Sequence, residues 1–484
     1  MRLVLPAVLL VAAVAFQELT FEPYQPDLSA GATLSNAAAD FDGDGDVDLF
    51  LGFNGEPNRL FRNDTGTLID VATNVGVADA RATRAAAWAD VDADGDPDLL
   101  LGFAAGSAPI LRYYRNENDK FRDVTKDVGL IVDSGAVRQL AFVDIDGDDD
   151  LDLSVAFRDR ANALYRNDRG VFTDVAASLG LADTRKSVGA IWFDHDEDGD
   201  LDLYVANQDG DSNGLFRNDS GRFSDVAEAA GLRWAGRPAA DVARGTVRPC
   251  AADVNGDGRF DVLAANYGTN GLFLNRSGGI FEDASAPWGI ATDGRHDTCA
   301  VGDFDNDGRV DVYINGTVTG GVSYRDFLLR NSGTRFDDVT PPSLLATHAS
   351  HGAVWLDVDG DGDQDLALAG SRPDPLPLVW RNRLGASSTS RWLTVRVVDG
   401  RGRATRAGAE VRVYTPGTRK LIATRLVDTG SGYNAQSDVP VHFGVGAAPR
   451  VDVEAIFPRR GQRTVVRAAG VDTGRLQPLV IKVR

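Results

Sequence analysis

The sequence predicts an all-β protein in which a seven-bladed β-propeller is followed by a small β-sandwich-like domain. The first observation behind this prediction is an acidic stretch of nine residues that occurs seven times along the chain of 484 residues. The second is that each copy lies in a unit of about 50 residues with four short strand-like runs, as in a propeller blade. The third is that the acidic stretches stop before residue 382, after which apolar and polar residues alternate with a period of two.

Every unit repeats the same order of elements. A small apolar run precedes the acidic stretch, as at residues 85–89, and a buried strand follows it, as at residues 98–102. An aromatic strand that ends in Arg-Asn comes next, as at residues 60–63. The unit closes with a strand of the pattern Phe-x-Asp-Val, as at residues 172–175. Four such runs separated by turn residues predict one antiparallel sheet per unit.

The last unit lacks the closing strand, because the chain passes from Asn382 into a polar linker. We predict the missing strand at the other end of the chain, where residues 19–22 are strand-like and belong to no unit. An open ring would expose unpaired strand edges, which invite aggregation. We therefore expect Phe21 to be buried and its neighbours to pair with residues 379–381.

The acidic stretches, numbered loops 1 to 7 in chain order, have the composition of binding loops for a hard cation. Carboxylates stand at positions 1, 3, 5 and 9, and glycine at position 6 permits a turn that other residues resist. Calcium takes about six to eight oxygen ligands, and clustered carboxylates repel each other without a cation. Up to seven calcium ions are therefore expected. The predicted side-chain ligands are Asp40, Asp42, Asp44 and Asp48; Asp90, Asp92, Asp94 and Asp98; Asp144, Asp146, Asp148 and Asp152; Asp194, Asp196, Asp198 and Asp202; Asp253, Asn255, Asp257 and Asp261; Asp303, Asp305, Asp307 and Asp311; and Asp357, Asp359, Asp361 and Asp365.

Two loops depart from this pattern. Loop 3 carries Asp149 where glycine is expected, which calls its turn geometry and its affinity into question. Loop 5 has the neutral ligand Asn255 at position 3, which should weaken binding modestly. An EF-hand is excluded, because its loop needs a glutamate at position 12, where these stretches have residues such as Leu51, Leu101 or Val155.

The composition restricts the class of protein. The net charge is −21, and seven divalent ions would offset about two thirds of it, so much of the acidity has a local purpose. A chain this acidic does not favour nucleic acid as a partner. The two cysteines, Cys250 and Cys299, allow at most one disulfide. They fall on the innermost strands of adjacent blades, but they are offset by one residue relative to their loops, so the pairing is left open.

Residues 1–15 predict a secretory signal peptide. A basic start is followed by an apolar run from Leu3, and Ala13-Val14-Ala15 offers a cleavage site before Phe16. A retained membrane anchor is disfavoured, since it needs about 18–20 apolar residues. We therefore expect a secreted or extracytoplasmic protein with no membrane span.

The repeated motifs resemble known families. Asp-x-Asp-x-Asp-Gly-x-x-Asp followed by an apolar strand resembles the FG-GAP (VCBS-type) repeats of integrin-α-like propellers. Leu-Phe-Arg-Asn and Phe-x-Asp-Val resemble elements of the cartilage-acidic-protein-like family, and residues 430–437 and 441–446 resemble its ASPIC/UnbV module. The resemblance implies a propeller at residues 16–385 and an ASPIC/UnbV-like domain at residues 391–484. It also implies that position 7 of each loop offers its carbonyl to calcium, at Asp46, Asp96, Asp150, Asp200, Arg259, Arg309 and Asp363.

The arginine of the Arg-Asn motif is expected to have a structural role. We predict that it pairs with the aspartate of the neighbouring Phe-x-Asp-Val strand rather than with a ligand. The arginines concerned are Arg62, Arg115, Arg166, Arg217, Arg330 and Arg381, and the fifth unit has Leu274 at this position.

Propeller geometry assigns the acidic loops to one face and predicts a basic opposite face. The residues on that side are Arg81, Arg84, Arg138, Arg185, Lys186, Arg237, Arg244, Arg248, Arg295 and Arg325, with Trp234 and Tyr324. Such a face favours anions, so we expect a binding or adhesion module for an extracellular glycan or protein ligand with anionic groups. The alternative is that basic residues simply occupy whatever surface the acidic loops leave.

Two other functions are kept as alternatives. One is a propeller enzyme that acts on polysaccharide, with its site on the basic face; His348, His351, His296 and Asp297 could there hold a transition metal. No nucleophile motif or phosphate loop identifies a reaction, however. The other is a structural scaffold whose C-terminal domain does the binding.

Overall fold

The computed structural model describes residues 19–29, 31–239, 241–319, 321–345, 350–370, 377–384, 390–430 and 432–483. The predicted signal peptide and His348 lie outside these residues. The regular secondary structure of the described chain is almost entirely β-strand. None of its helices has the length and hydropathy that a membrane crossing requires.

After the N-terminal strand β1 (Phe21–Ser29), the chain forms seven antiparallel units, blades 1 to 7, of which blades 1 to 6 have four strands of their own and blade 7 has three. Blade 1 contains β2 (Thr33–Ala39), β3 (Asp48–Phe53), β4 (Arg59–Asp64) and β5 (Thr67–Asp70), and blade 2 contains β6 (Thr83–Ala89), β7 (Asp98–Phe103), β8 (Leu111–Asn116) and β9 (Phe121–Asp123). Blade 3 contains β10 (Val137–Val143), β11 (Asp152–Phe157), β12 (Ala163–Asn167) and β13 (Phe172–Asp174), and blade 4 contains β14 (Ser187–Phe193), β15 (Asp202–Asn207), β16 (Gly214–Asn218) and β17 (Phe223–Asp225).

The remaining blades follow the same plan. Blade 5 contains β18 (Gly245–Ala252), β19 (Asp261–Thr269), β20 (Gly271–Arg276) and β21 (Ile280–Asp283). Blade 6 contains β22 (Asp293–Gly302), β23 (Asp311–Gly316), a small hairpin of β24 (Val318–Thr319) and β25 (Val322–Ser323), then β26 (Phe327–Asn331) and β27 (Phe336–Asp338). Blade 7 contains β28 (Ser350–Leu356), β29 (Asp365–Gly370) and β30 (Pro377–Asn382). Four-residue helices follow the last strands of blades 1, 3, 4 and 6, namely α1 (Ala72–Val75), α2 (Ala176–Leu179), α3 (Ala227–Ala230) and α4 (Pro342–Leu345).

The first strands of the blades form the centre of the molecule. Strands β2, β6, β10, β14, β18, β22 and β28 each contact the next, and β28 contacts β2, so the units close into a ring. Apolar cores fill the spaces between neighbouring blades; for example, Phe41 of loop 1 stacks on Trp88 of β6 with ring centroids 6.5 Å apart. The all-β propeller predicted from the sequence is therefore confirmed.

The N-terminal strand completes blade 7, as predicted. Strand β1 pairs with β30 in antiparallel register, with Phe21 opposite Asn382 and Tyr24 opposite Val379. Phe21 is 1% exposed and packs near Trp355, with ring centroids 6.3 Å apart. The two ends of the propeller chain therefore share one sheet.

Cys250 and Cys299 form a disulfide between blades 5 and 6, with their Cα atoms 6.3 Å apart. The offset of one residue is what allows this bond. Neighbouring blades face each other with opposite sides of their sheets, so the partners must point to opposite faces of equivalent strands. Cys250 and Leu263 accordingly lie in the same apolar core as Cys299 and Ile314.

The C-terminal residues form a two-sheet domain. One sheet has the order β35–β31–β38, and the other has the order β33–β32–β36–β37. The strands of the domain are β31 (Trp392–Val398), β32 (Glu410–Tyr414), β33 (Leu421–Leu426), β34 (Ala435–Gln436), β35 (Val441–Gly444), β36 (Arg450–Arg459), β37 (Gln462–Asp472) and β38 (Leu479–Lys482). Alternate residues such as Val395, Val413 and Val453 fill the core between the sheets, which agrees with the predicted sandwich.

The C-terminal domain lies over the face of the propeller that carries the acidic loops. Three of its arginines reach the first aspartate of a loop, in the pairs Arg406–Asp144 at 3.4 Å, Arg463–Asp194 at 3.5 Å and Arg425–Asp303 at 3.4 Å. The backbone N–H of Gly444 also donates to Asp303 (3.0 Å). This face of the propeller is thus an interface between the two domains.

One segment of the domain enters the ring of inner strands. We call it the plug segment; it comprises residues 428–430 and 432–438. Its strand β34 pairs in parallel with β6. Gln436 forms two hydrogen bonds with the backbone of Phe142 in β10, and Thr429 accepts one from the backbone of Trp192 in β14. The plug segment is therefore held by the inner strands of several blades.

Candidate metal centres and a polar cluster in the channel

Each acidic loop is organised around its first carboxylate. In loop 2, Asp90 accepts hydrogen bonds from the backbone N–H groups of Asp94 (3.1 Å) and Gly95 (3.0 Å). Gly95 has a φ of 113°, a conformation that residues with a side chain rarely adopt. The first acids of loops 4 to 7 accept the same two bonds. These bonds hold the turn that gathers the carboxylates.

The ninth carboxylate ties each loop to the third strand of its blade. In loop 1, Asp48 accepts the N–H of Phe41 (2.9 Å) through one oxygen and the N–H of Asn63 (2.8 Å) through the other. The side chain of Asn63 donates to the carbonyl of Val358 in loop 7 (2.9 Å). The equivalent asparagines that also donate to the loop of the preceding blade are Asn116, Asn275, Asn331 and Asn382. Their recurrence was visible in the sequence, but this bridging role was not predicted.

The loops contain carboxylate oxygens that converge without a donor. In loop 1, oxygens of Asp40, Asp42 and Asp48 lie within 4.8 Å of one another, and loops 2, 3 and 4 hold similar groups. One buried oxygen of Asp40 and one of Asp42 accept no hydrogen bond from the described residues. The same holds for Oδ1 of Asp146, Asp196, Asp305 and Asp359. Buried acceptors without donors are costly, and a hard cation is the partner that several carboxylates fit.

Burial also changes the acidity of these groups. It raises the pKa of Asp48, Asp98 and Asp152 to about 8, because the charged form loses its hydration. A nearby divalent cation favours the ionised form and reverses this effect. The electrostatics of the loops therefore suit a cation of this type.

Loop 3 keeps the turn although it lacks the glycine. Asp149 has a φ of 79°, close to the conformation of the glycines at the same position in the other loops. Its carboxylate pairs with Arg406 and, at 3.3 Å, with Arg459, both from the C-terminal domain. The turn geometry that this substitution called into question is therefore retained. Two ion pairs offset the strain of an L residue in this region.

The recurring arginine does not pair as predicted. Arg115 lies 3.0 Å from Asp92, the third residue of its own loop, and Arg166 lies 2.8 Å from Asp168. The register explains the error: on the neighbouring strand Arg166 stands opposite Thr173, one residue away from the aspartate. Adjacent residues of a strand point to opposite faces, so the arginine and that aspartate are separated by the sheet.

In blade 5, two departures from the repeat compensate each other. In blade 6, Arg330 lies 2.7 Å from Asp305 at position 3 of its loop. Blade 5 has Leu274 in place of the arginine and the neutral Asn255 in place of the aspartate. Losing both charges together leaves neither one unpaired.

Half of the ten basic residues predicted for this face have acidic partners of their own. These pairs are Arg81–Asp79 at 2.7 Å, Arg185–Asp183 at 2.8 Å, Lys186–Asp209 at 3.8 Å, Arg244–Asp241 at 3.4 Å and Arg325–Asp338 at 2.7 Å. Arg84, Arg138 and Arg248, which lie on the inner strands, form no ion pair with any described residue. The positive charge of this face that has no acidic partner among the described residues therefore lies mainly on a few arginines near the axis.

A β-bulge recurs at the same place in the first strand of every blade. In β2, Thr33 pairs with Phe53 and Ser35 pairs with Gly52, so Leu34 falls out of register. The equivalent residues of blades 2 to 7 are Arg84, Arg138, Val188, Val247, Asp297 and His351. We call these seven residues the bulge ring. They precede the acidic loops by six residues and lie at the other end of the inner strands, where a bulge re-aims a side chain.

Tyr433 of the plug segment lies inside the bulge ring. It stacks on the imidazole of His351 with ring centroids 5.5 Å apart, and it packs against Val188 and Val247. The guanidinium of Arg84 interacts electrostatically with the Tyr433 side chain. Burial, and then the charge of Asp297, raises the pKa of Tyr433, so its hydroxyl is a neutral donor. This cluster was not predicted from the sequence, because the members of the bulge ring share a position in the blade and not a residue type.

Asp297 connects two neighbouring side chains, His351 and Tyr267. Its Oδ2 lies 2.5 Å from Nδ1 of His351, and its Oδ1 accepts a hydrogen bond from the hydroxyl of Tyr267 (2.9 Å). His296, the preceding residue, points to the other side, with Nδ1 3.1 Å from the amide oxygen of Asn270. Burial lowers the pKa of His296 to about 4. The predicted convergence of imidazoles on a transition metal is therefore wrong for His296, and His348 lies outside the described residues.

Comparisons with known proteins find two families in the chain. Residues 40–101, 144–205, 194–264 and 253–314 match the FG-GAP-like repeat, and residues 400–477 match ASPIC and UnbV. Cartilage acidic protein 1 of Mus musculus is 30% identical over 307 residues, which is 60% of this chain and 45% of that protein. The Homo sapiens protein is 29% identical over 304 residues, or 60% of this chain and 44% of that protein. The chain thus spans less than half the length of these relatives.

Two solved structures are more distant. BBS1N in complex with ARL6DN has a TM-score of 0.48 and 9% identity, over 77% of this chain and 98% of that chain. A lectin of Agrocybe aegerita that recognises non-reducing terminal N-acetylglucosamine has a TM-score of 0.41 and 18% identity, over 74% of this chain and 92% of that chain.

Proposed function

For a chain that contains FG-GAP-like repeats and an ASPIC and UnbV domain, we propose the function of a secreted, calcium-binding propeller that acts as a binding or adhesion module. Its ligand is an extracellular glycan or protein with anionic groups. The observation that carries the proposal is the division of charge along the inner strands. Acidic loops stand at one end, and arginines without ion-pair partners, Arg84 and Arg138, stand at the other.

Calcium is the cofactor of this proposal. In loop 1 the ion would be held by side chains of Asp40, Asp42, Asp44 and Asp48 and by the carbonyl of Asp46. The buried, donor-free oxygens of the first two residues support this assignment. Each loop joins the first and second strands of a blade, so a bound ion would fix both strand ends. Calcium therefore serves stability and not chemistry.

Export follows from the same set of observations. Residues 1–15 have the pattern of a secretory signal, and calcium loops of modest affinity are filled where calcium is millimolar. The disulfide between Cys250 and Cys299 supports this location, because disulfides persist in oxidising compartments.

The ligand would approach the face opposite the calcium loops. The C-terminal domain covers the acidic face with contacts such as Arg406–Asp144. The opposite end of the inner strands presents Arg84 and Arg138, which are half-buried. A partly desolvated arginine binds carboxylate or sulfate strongly.

A binding screen tests this function. The full chain is applied to arrays of extracellular glycans and matrix proteins with calcium and again with EDTA. We expect retention on anionic ligands in calcium, with loss in EDTA as the blades loosen. No retained ligand in calcium, or retention that is independent of ligand charge, would contradict the proposal.

A propeller enzyme acting on polysaccharide remains a second candidate, which one observation favours. Asp297, His351 and Tyr433 converge beside Arg84, and such groups perform general acid–base chemistry. Incubation with acidic polysaccharides followed by measurement of new chain ends tests it. Bound but uncleaved polymer would reject the enzyme and support the binding module.

A further inference from the structure

We propose that the bulge ring binds the carboxylate of a uronic acid residue, and that Tyr433 of the C-terminal domain completes this site together with Arg84 and Arg138. The inference rests on the proposed binding function and goes further by naming the site and the class of ligand. It also gives the plug segment a role, because the site would be incomplete in the propeller alone.

Two arginines of the bulge ring form no ion pair with a described residue. Arg84 and Arg138 occupy equivalent bulges in the adjacent blades 2 and 3. Neither forms an ion pair with a described residue, and the buried Nε of Arg138 has no hydrogen-bond partner there. Burial, and then repulsion from Arg138, lowers the pKa of Arg84, which shows that the two charges act on each other. Two neighbouring guanidinium groups of this kind favour an anion between them.

Another arginine, Arg248, lies deeper in the channel. Arg248 is 1% exposed, and only its contact with the side-chain oxygen of Gln139 satisfies a guanidinium donor. Its Nε and Nη2 have no partner among the described residues. Burial lowers its pKa to about 10, so it still carries a charge at neutral pH. Asp428 of the plug segment is the acidic group that acts on it. Arg248 follows Val247 of the bulge ring and adds positive potential below the site.

Two other residues of the bulge ring, Asp297 and His351, favour one kind of anion. Asp297 stands in the same ring and would repel the second carboxylate of an acidic peptide, whereas the remaining lone pairs of its oxygens, which already contact His351 and Tyr267, could accept a hydrogen bond from a sugar hydroxyl. The second ring nitrogen of His351 makes no hydrogen bond with a described residue and offers another hydroxyl contact. One carboxylate surrounded by hydroxyls matches this set of groups. A uronic acid residue is therefore favoured over an acidic peptide.

Tyr433 holds the site together. Its side chain interacts electrostatically with Arg84, its ring stacks on His351, and it packs against Val188 and Val247. It therefore contacts inner strands of four blades from the centre of the ring. Removing its hydroxyl would release the Arg84 guanidinium from its place while leaving the aromatic packing intact.

The test uses a tetramer of galacturonic acid and its fully methyl-esterified form, which has the same shape without charge. Both are titrated calorimetrically into the full chain in calcium. We expect the acid to bind at least about tenfold more tightly than the ester. Arg84→Gln and Arg138→Gln should each weaken binding of the acid about tenfold or more. Tyr433→Phe should weaken it several-fold, and Arg244→Gln, which removes an already paired arginine from the same face, should leave it unchanged.

Melting temperatures of the variants separate binding from folding, and only variants that melt within a few degrees of the parent are compared. Equal binding of acid and ester, or parental affinity in both Arg84→Gln and Arg138→Gln, would overturn the inference. Preference for an acidic tetrapeptide over the sugar acid would overturn it as well. If the screen yields a ligand that both arginine variants still bind, the proposed function stands and this inference fails.

Discussion

The guanidinium of Arg406, from the C-terminal domain, lies 3.4 Å from the carboxylate of Asp144, the first acid of loop 3. Both side chains are almost fully buried, with exposures of 2% and 1%. The same arginine pairs with Asp149, which stands at the glycine position of that loop. The C-terminal domain thus supplies positive charges to the acidic loops of the propeller, and the two domains are coupled through these ion pairs.

The first prediction concerns this contact. Arg406→Met removes the charge but keeps most of the apolar stem, so Asp144 loses its arginine partner and Asp149 keeps only Arg459. Breaking a buried pair from one side costs about 3–5 kcal/mol. We expect a loss of this order in denaturant unfolding of the full chain in EDTA, and a smaller loss in calcium. Arg450→Met is the control, because Arg450 and Asp472 form an exposed pair. Equal stability of the two variants would contradict the coupling.

The second prediction concerns calcium. Ions that bind only the folded state stabilise it by mass action, and seven loops add their effects. The melting temperature should rise when millimolar calcium is added and fall in EDTA. Potassium at matched ionic strength separates specific binding from simple screening. Identical melting temperatures in calcium and in EDTA would refute calcium binding.

The third prediction compares two loops. Asp357 is the first acid of loop 7 and holds its turn through the N–H groups of Asp361 and Gly362. Asp357→Ala should remove one bound ion per chain. It should also remove most of the contribution of loop 7 to the calcium-dependent rise in melting temperature. Asn255→Ala removes a neutral ligand and should have a smaller effect. Counting bound calcium by atomic emission checks both, and a larger loss in Asn255→Ala would speak against the assignment.

The fourth prediction concerns the disulfide. The bond between Cys250 and Cys299 closes a loop with a sequence separation of 49 residues. In the chain-entropy account, such a loop contributes roughly 4 kcal/mol. The free energy of unfolding of the double variant Cys250→Ala/Cys299→Ala should be lower by about that amount, so it should unfold at a lower denaturant concentration. Thiol titration of the unreduced parent should find no free thiol, and finding two would refute the bond.

The fifth prediction concerns ring closure. Phe21→Ala should cost about 3–5 kcal/mol, because the ring is buried against Trp355 and Phe304. A chain that begins at residue 31 should lose more and should aggregate, since β30 would become an open edge. Chemical unfolding and light scattering measure the two effects. Exposed Ile69→Ala is the control, and parental stability of the shortened chain would contradict closure by β1.

Much of the fold follows from patterns that are local in sequence. The seven acidic loops, the four strands of each unit and the strand near Phe21 are visible because each is a short run with its own periodicity. The convergence of carboxylates within each loop also follows from local spacing, since the acids lie within nine residues of one another. Local spacing is enough to determine such a turn.

Relations between blades were harder to predict. The offset of Cys250 and Cys299 looked like an objection, although facing blades require it. The expected partner of Arg166 was wrong because a single residue of register moves a side chain across the sheet. Both errors concern which face of a strand meets which neighbour, and this depends on how sheets stack in three dimensions.

By itself the sequence determined the repeated acidic loops, the strand order and the closure of the ring, because these depend on contacts close in sequence or on a missing element. Only the tertiary structure decided that Arg84, Arg138, Asp297 and His351 meet around Tyr433. These residues come from four blades and a second domain, and no two share a motif. What joins them is one equivalent bulge per blade and a segment that enters the ring, and both arise only when the whole chain is folded.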